Sequence, residues 1–170
     1  MKFKVNKNIR MRSSGFTLIE VMVTVFILAV GVLGMAGLQA IGVKESQNTY
    51  FRTQADILIN DMADRMRANR PASRDEAASP YVYDGVAVTA SCGGACSSPA
   101  DMADQDLNEW SATIIASGLP NASAAITRAD AAGSIYQLQI FWDEGRTQNG
   151  TCNAGNVDAS CVRLELVVQI

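Results

Sequence analysis

The sequence predicts an α+β fold in which a long N-terminal α-helix packs on a small antiparallel β-sheet, with a second short helix beside them. Three observations support this prediction. The segment Val21–Val43 is uncharged and mostly apolar, the apolar residues after it recur every three or four positions, and the end of the chain alternates apolar with polar residues. The 170 residues are enough for one domain with a modest core.

The first predicted helix has two parts. Val21–Val43 is long enough to cross a bilayer, since a helix rises about 1.5 Å per residue and the hydrocarbon core is about 30 Å thick. The helix then becomes amphipathic, and Pro71 is expected to stop it near Arg70. The apolar face of the amphipathic part comprises Phe51, Ala55, Leu58, Met62 and Met66.

The rest of the chain predicts a loop, a helix and three strands. The loop, Pro71 to Pro99, is rich in turn-forming residues and holds at most a short strand at Tyr81 to Val88. Ser98 and Pro99 predict the N-cap and first turn of the second helix, which ends near Gly118. The predicted strands lie around Ala124 to Arg128, at Tyr136 to Trp142 and at Val162 to Ile170, and the last two have one buried face each.

Charge is distributed unevenly along the chain. Five of the 14 cationic residues lie in the first 15 positions, with no acidic residue among them. Without this segment, the chain has nine cationic and 17 acidic side chains, which gives a side-chain net charge of −8. Because non-specific nucleic-acid binding depends on Lys and Arg that neutralise phosphates, we expect no nucleic-acid partner. The five N-terminal cations are Lys2, Lys4, Lys7, Arg10 and Arg12.

Nothing in the composition favours catalysis. The chain contains no histidine, the commonest general base and metal ligand. Serines are numerous, but no G-x-S-x-G or S-x-x-K motif is present to activate one. We therefore predict that the protein is not an enzyme and has no catalytic residue, no metal site and no cofactor.

Four cysteines follow the apolar run: Cys92, Cys96, Cys152 and Cys161. The positive-inside rule keeps the basic N-terminus in the cytoplasm, so the cysteines face an oxidising compartment. Four cysteines allow three pairings, and the sequence does not choose among them. We favour the local pairs Cys92–Cys96, which are separated by flexible glycines, and Cys152–Cys161, which bracket a loop before the last strand. Their spacings are unlike the usual paired zinc ligands.

The segment Gly15-Phe16-Thr17-Leu18-Ile19-Glu20, preceded by the short basic stretch, resembles the type IV prepilin motif. An ordinary signal peptide has a shorter apolar run that contains no acidic residue. A plain membrane anchor would place the Glu20 carboxylate in the apolar segment without a partner, at a cost of about 3 kcal/mol. The resemblance implies that a prepilin peptidase cuts between Gly15 and Phe16 and N-methylates Phe16. The new amine lies one helical turn from Glu20, and in a filament Glu20 is expected to pair with the amine of a neighbouring subunit.

The same resemblance implies a domain organisation and the pilin fold. Residues 1–15 are the leader, 16–43 the transmembrane and filament-core helix, 44–70 its amphipathic continuation, and 71–170 the periplasmic globular domain. In the membrane half, Gly31, Gly34 and Gly37 recur every third residue. Two interpretations of these glycines stay open: close helix packing, and a segment that loosens during filament assembly.

Further motifs resemble those of PilV-type minor pilins, also called type IV pilus modification proteins. That resemblance implies a minor subunit that helps to prime pilus assembly at or near the tip. Its partners are then other minor pilins, the major pilin, the prepilin peptidase, the motor ATPase and the inner-membrane platform, and before assembly the protein lies in the inner membrane. The motifs are Gly31 to Gln39, Asp64-Arg65-Met66-Arg67-Ala68-Asn69, Asp106-Leu107-Asn108-Glu109-Trp110 and Trp142-Asp143-Glu144.

Two alternatives remain at this point. A minor pseudopilin of a type II secretion system shares the leader, the glutamate and the long helix while it serves a different machine. A tip-located adhesin belongs to another class, because its task is to bind a surface. The motifs downstream of the helix favour the pilus over both.

Overall fold

The computed structural model describes residues 15–75, 80–86, 92, 96–130, 135–145, 152–155 and 161–170. Ser46–Ile170 forms one compact unit, and the chain up to Glu45 belongs to a separate one. The helices are α1 (Leu18–Ala68), α2 (Arg70–Ser73) and α3 (Pro99–Ala116), and the strands are β1 (Ser123–Arg128), β2 (Ile135–Asp143) and β3 (Cys161–Gln169).

The predicted α+β fold is confirmed in the unit that starts at Ser46. The C-terminal part of α1 packs with α3 against a three-stranded antiparallel sheet of order β1-β2-β3. The predicted apolar face of α1 is buried, because its three- and four-residue spacing places these side chains on one side of the helix. Besides the five predicted residues, Ile59 and Ala63 of α1 are also buried.

The long helix ends within two residues of its predicted end near Arg70, whereas the loop predicted from Pro71 onward begins with one more helical turn. α1 ends at Ala68, and one further turn, α2, includes the proline. The backbone N–H of Ser73 donates to the carbonyl of Asn69 at 3.1 Å, and that of Arg74 donates to the carbonyl of Arg70 at 3.0 Å. Pro71 is tolerated because it lies in the first turn of α2, where a backbone N–H has no intrahelical partner.

α3 begins where the sequence predicts. The Ser98 side chain accepts a hydrogen bond from the backbone N–H of Asp101, whose carboxylate in turn accepts from the backbone N–H of Ser98. The short strand predicted before α3 is only a single antiparallel bridge, between Tyr83 and Ile126 of β1. Residues 87 and 88 of that predicted strand lie outside the described residues.

The prediction of one buried face is wrong for β2. Its inward side chains Tyr136, Leu138, Ile140 and Trp142 are buried against the helices as predicted. On the opposite face, Phe141 is also buried, in a second cluster with Ala125 of β1, Cys152 and the half-buried Cys161. The segment around Cys152 therefore covers this end of the outer face.

β3 lies at the edge of the sheet and is less buried than β2. It pairs with β2 over its whole length in a continuous antiparallel register, with Leu164 opposite Ile140 and Leu166 opposite Leu138. The inward side chains Val162, Leu164 and Leu166 are only partly buried against the core. An edge strand has a neighbour on one side only, which explains this partial exposure.

Candidate processing and assembly site

The predicted cleavage point lies just outside α1. Gly15, Phe16 and Thr17 precede the helix, which begins at Leu18. The Phe16 side chain is 83% exposed. A Cβ added to Gly15 meets no atom within 4 Å, so packing within the described residues does not require glycine there. The bond between Gly15 and Phe16 is thus exposed and non-helical. The rest of the predicted leader lies outside the described residues.

Thr17 caps the N-terminus of α1. Its carbonyl accepts hydrogen bonds from the backbone N–H groups of Glu20 at 3.1 Å and Val21 at 3.3 Å. Its Oγ1 lies 3.4 Å from the backbone N of Glu20 and accepts from the same N–H. Such a cap satisfies a donor that the helix itself leaves unpaired. The cap thereby places Glu20 in the first helical turn, where the helix dipole stabilises a carboxylate.

The Glu20 carboxylate has no partner among the described residues. The side chain is exposed, and among the described residues it makes no ion pair or hydrogen bond. An unpaired carboxylate at the start of an apolar helix is costly once the helix is in lipid. The geometry therefore leaves this group available to a cation from another source, such as an amine from a neighbouring chain.

The apolar part of α1 is exposed throughout. α1 contains a segment long and apolar enough to cross a membrane, and no residue of that segment is buried against the described part of the chain. A Cβ added at Gly31, Gly34 or Gly37 likewise meets nothing within 4 Å. Contacts among the described residues therefore explain neither the apolar side chains nor the glycines of this segment.

The motif residues at the end of α1 contact those of α3. The Arg65 guanidinium pairs with Asp61 at 3.0 Å, Asp106 at 3.2 Å and Glu109 at 2.9 Å, the last two from α3. Burial lowers the pKa of Arg65, but the bonds to Glu109, Asp61 and Asp106 outweigh it and raise that pKa overall. The pKa of Glu109 is lowered by the hydrogen bond from Gln105 and then by Arg65.

A phenol extends this network into the core. The Tyr81 hydroxyl donates to Asp106 at 2.6 Å and accepts from the Asn69 side-chain amide at 3.1 Å. Burial, followed by the bond to Asp106, raises the pKa of Tyr81. The same amide of Asn69 also donates to the carbonyl of Pro99 at 2.7 Å. These bonds tie the end of α1 to the start of α3.

Trp110 completes the contact between the two helices. Its side chain is fully buried, and its Nε1–H donates to the carbonyl of Leu58 in α1 at 2.7 Å. Trp110 also meets the ring of Tyr83 edge to face, with centroids 6.3 Å apart. The motifs at the end of α1 and within α3 therefore hold the two helices together. The role of their residues in these contacts is to stabilise the fold.

Two disulfides are present, Cys92–Cys96 and Cys152–Cys161. The first lies beside the start of α3, where Cys92 Sγ is 3.4 Å from the carbonyl of Asp101. The second joins the buried Cys152 to the first residue of β3. The Ser123 hydroxyl of β1 donates to the carbonyl of Cys152, so the bridge is fixed at both edges of the sheet.

Two residues with a role at these sites were missed from the sequence. Thr17 stands three residues before Glu20, a spacing typical of a helix N-cap, and that signal identifies the start of α1. Tyr81 was assigned only to a short strand. No local pattern marks its hydroxyl, because its partners are distant in the chain: Asn69 lies between α1 and α2, and Asp106 lies in α3.

Comparison with known proteins identifies the N-terminal part of the chain. Residues 10–36 match the family model of the prokaryotic N-terminal methylation motif. No curated protein matches the chain, and no solved structure does. The motif implies processing by a prepilin peptidase and assembly with other pilins, and together with the apolar helix it fits a membrane-anchored subunit that is later assembled into a filament. The N-terminal methylation motif therefore indicates a protein of the type IV pilin or pseudopilin family.

Proposed function

We propose that this protein is a minor pilin of a type IV pilus that helps to prime filament assembly, in a complex with other minor pilins at or near the tip. The observation that carries this proposal is the arrangement of Gly15 to Glu20. The bond after Gly15 is exposed and precedes the helix, and the carboxylate of Glu20 has no partner within the described chain. Cleavage supplies that partner, since it creates an amine on Phe16.

Assignment to the minor pilins rests on the motifs downstream of the membrane segment. Arg65 and Asn69 of one motif contact Asp106 of another through the ion pair and through Tyr81. The motifs that resemble PilV-type proteins thus act together in one helix contact. This supports the view that they occur together because they build one fold variant.

The proposal also covers topology and partners. Residues 1–15 are the removed leader, 16–43 the membrane and filament-core helix, 44–70 its continuation and 71–170 the periplasmic domain, which carries both disulfides. Before assembly the subunit spans the inner membrane once, and afterwards it is part of the surface filament. The prepilin peptidase, the assembly platform, the major pilin and other minor pilins are its partners.

Replacing Glu20 with Gln tests the charge pair at the centre of the proposal. The change keeps the size of the side chain and removes its charge, so the neighbouring amine loses its partner in a low-dielectric environment. We expect leader cleavage to proceed normally, while the amount of subunit in sheared filaments falls roughly tenfold or more. Quantitative mass spectrometry of the filaments measures both the amount and the methylated N-terminus.

A matched control removes a charge from the same helix beyond the uncharged run. Glu45→Gln is expected to incorporate like the unaltered protein. Normal incorporation of Glu20→Gln would rule out the charge pair. Co-purification with a secretion pseudopilus would instead assign the subunit to type II secretion, and normal pilus numbers with lost attachment in a deletion strain would make it an adhesin.

A further inference from the structure

Thr24 is a second polar residue in the apolar half of α1. Between Leu18 and Leu38, Glu20 and Thr24 carry the only side chains with nitrogen or oxygen atoms. They are four residues apart, so they are neighbours on one face of the helix. Both line a recess of about 290 Å³, together with Phe16 and Val21. The recess therefore combines two polar groups with apolar side chains.

The hydroxyl of Thr24 is held as a hydrogen-bond acceptor. It donates its proton to the carbonyl of Val21, at an oxygen–oxygen distance of 2.8 Å. This bond to the preceding turn uses the single proton of the hydroxyl and leaves its lone pairs. No described residue donates to those lone pairs. Thr24 can therefore accept a hydrogen bond from an incoming donor, just as the Glu20 carboxylate can.

Contact with lipid alone does not explain a hydroxyl at this position. The bond to Val21 lowers the cost of a hydroxyl in an apolar environment, but a valine would avoid that cost altogether. Every other residue from Val21 to Leu38 is apolar or glycine. The one hydroxyl in this segment lies a single helical turn from the one carboxylate, which indicates that the two groups serve the same partner.

We propose that Thr24 is a second binding group for the amine that pairs with Glu20, and that this amine is the N-methylated N-terminus of a neighbouring subunit. The inference rests on the proposed function, which supplies the cleavage, the methylation and the filament. A secondary ammonium group has two N–H donors, one methyl group and one positive charge. Glu20 neutralises the charge and accepts one N–H, Thr24 accepts the other, and the methyl group lies against Val21.

The amine of the same chain cannot take this place. Phe16 and Thr24 are eight positions apart, which corresponds to about 12 Å along a helix that rises about 1.5 Å per residue. Phe16 also precedes α1, in non-helical backbone. The chain's own new amine is thus within about one turn of Glu20 but about two turns from Thr24. A contact with Thr24 therefore distinguishes a neighbour's amine from the chain's own.

Removing the hydroxyl tests its part in binding. Thr24→Val keeps the shape of the side chain but lacks the acceptor, so we expect roughly threefold to tenfold less of this variant in sheared filaments. Leader cleavage and methylation should be normal, since Thr24 lies about two turns from the bond after Gly15. Thr24→Ser keeps the hydroxyl and should restore most of the incorporation. Normal incorporation of Thr24→Val, or an equal loss in both variants, overturns the proposal.

Thr53→Val is the matched control. Thr53 is also exposed on α1, and its hydroxyl donates to the carbonyl of Thr49 at 2.9 Å, but it lies beyond the apolar segment. We expect this variant to incorporate like the unaltered protein. An equal loss in Thr53→Val and Thr24→Val would show that any threonine of this helix has the same effect, and would also overturn the proposal.

A double variant tests whether Glu20 and Thr24 bind the same amine. In Glu20→Gln the ion pair is already lost, so adding Thr24→Val should lower incorporation by less than about twofold further. Losses that multiply would show that the two residues act independently, and would overturn the shared site. Normal incorporation of Glu20→Gln alone contradicts the proposed function. A loss in Glu20→Gln with normal incorporation of Thr24→Val contradicts only the present inference.

Photo-cross-linking identifies the partner of Thr24. Filaments are assembled with a small diazirine amino acid in place of Thr24 and irradiated, and the cross-linked peptides are sequenced by mass spectrometry. We expect the N-methylated N-terminal peptide of another subunit. Cross-links that join this position only to the interior of another helix, to lipid or to the N-terminus of the same chain overturn the assignment of the amine.

Discussion

The two halves of α1 differ in what surrounds their side chains. Up to Glu45 the large apolar residues are exposed, and no described residue packs on them. From Phe51 onward one face of the same helix is buried against α3 and the sheet. Packing among the described residues therefore accounts for the apolar residues of the second half but not for those of the first half.

The largest expected difference between the halves is in core truncation. Trp110→Ala empties a fully buried site and removes the bond to Leu58, so the free energy of unfolding should fall by about 3–5 kcal/mol. Leu28→Ala, in the exposed half, should leave it unchanged within about 0.5 kcal/mol. Denaturant titration of the mature chain in micelles, followed by Trp142 fluorescence, measures both. A large loss in Leu28→Ala would break the comparison.

The two disulfides of the compact unit should differ in how much they stabilise it. Cys152–Cys161 closes a separation of nine residues, and Cys92–Cys96 one of four. Replacing both members of each pair by Ala should cost about 3 and about 2 kcal/mol respectively, since the longer loop restricts the unfolded chain more. The first pair should cost more still because Cys152 also packs on Phe141. Denaturant midpoints of the two double variants provide the measurement, and the reverse order would contradict it.

The smallest expected effect is at the ion pairs of Arg65. Arg65→Met should lower the free energy of unfolding by about 1–2 kcal/mol at neutral pH, because Asp106 and Glu109 lose their cation. The folded-state pKa of Glu109 is lowered, so its contribution is present above the unfolded-state pKa, about 4.3, and is lost as pH falls through the folded-state value.

Stability curves between pH 3 and pH 7 should therefore converge for the unaltered protein and Arg65→Met at the acidic end. Arg67→Met is a suitable control, since the ion pair that Arg67 makes within the described residues is with the exposed Asp64, three positions before it on the same helix. Curves that stay parallel at all pH values would show that Arg65 acts through packing and not through charge.

Elements with a strong local pattern were predictable. The buried face of α1, the cap of α3 at Ser98 and the inward side chains of β2 all follow from spacing or from one residue type at one position. Gly15, Phe16 and Glu20 were identified from a contiguous motif for the same reason. Their predicted processing and pairing stay predictions until they are measured.

The features that could not be predicted depend on contacts between residues far apart in the chain. Phe141 is buried on the outer face because Cys152 packs on it, and the Tyr81 hydroxyl is bonded because Asn69, just after α1, and Asp106 of α3 both approach it. Neither arrangement produces a regular spacing of residues in the sequence. The helical turn at Pro71 was missed for a different reason, since a proline is tolerated in the first turn of a helix and α2 begins one residue before it.

The Thr17 cap has a consequence for the timing of processing. The helix begins at Leu18 while Gly15 is still present, so the bond at the proposed cleavage site is already in non-helical backbone. A protease that holds its substrate as a strand then has no helical turn to melt before it acts. Under the proposed cleavage, the leader would be removed from a helix that is already formed, and the new amine would appear one helical turn from a Glu20 carboxylate that the cap has already positioned.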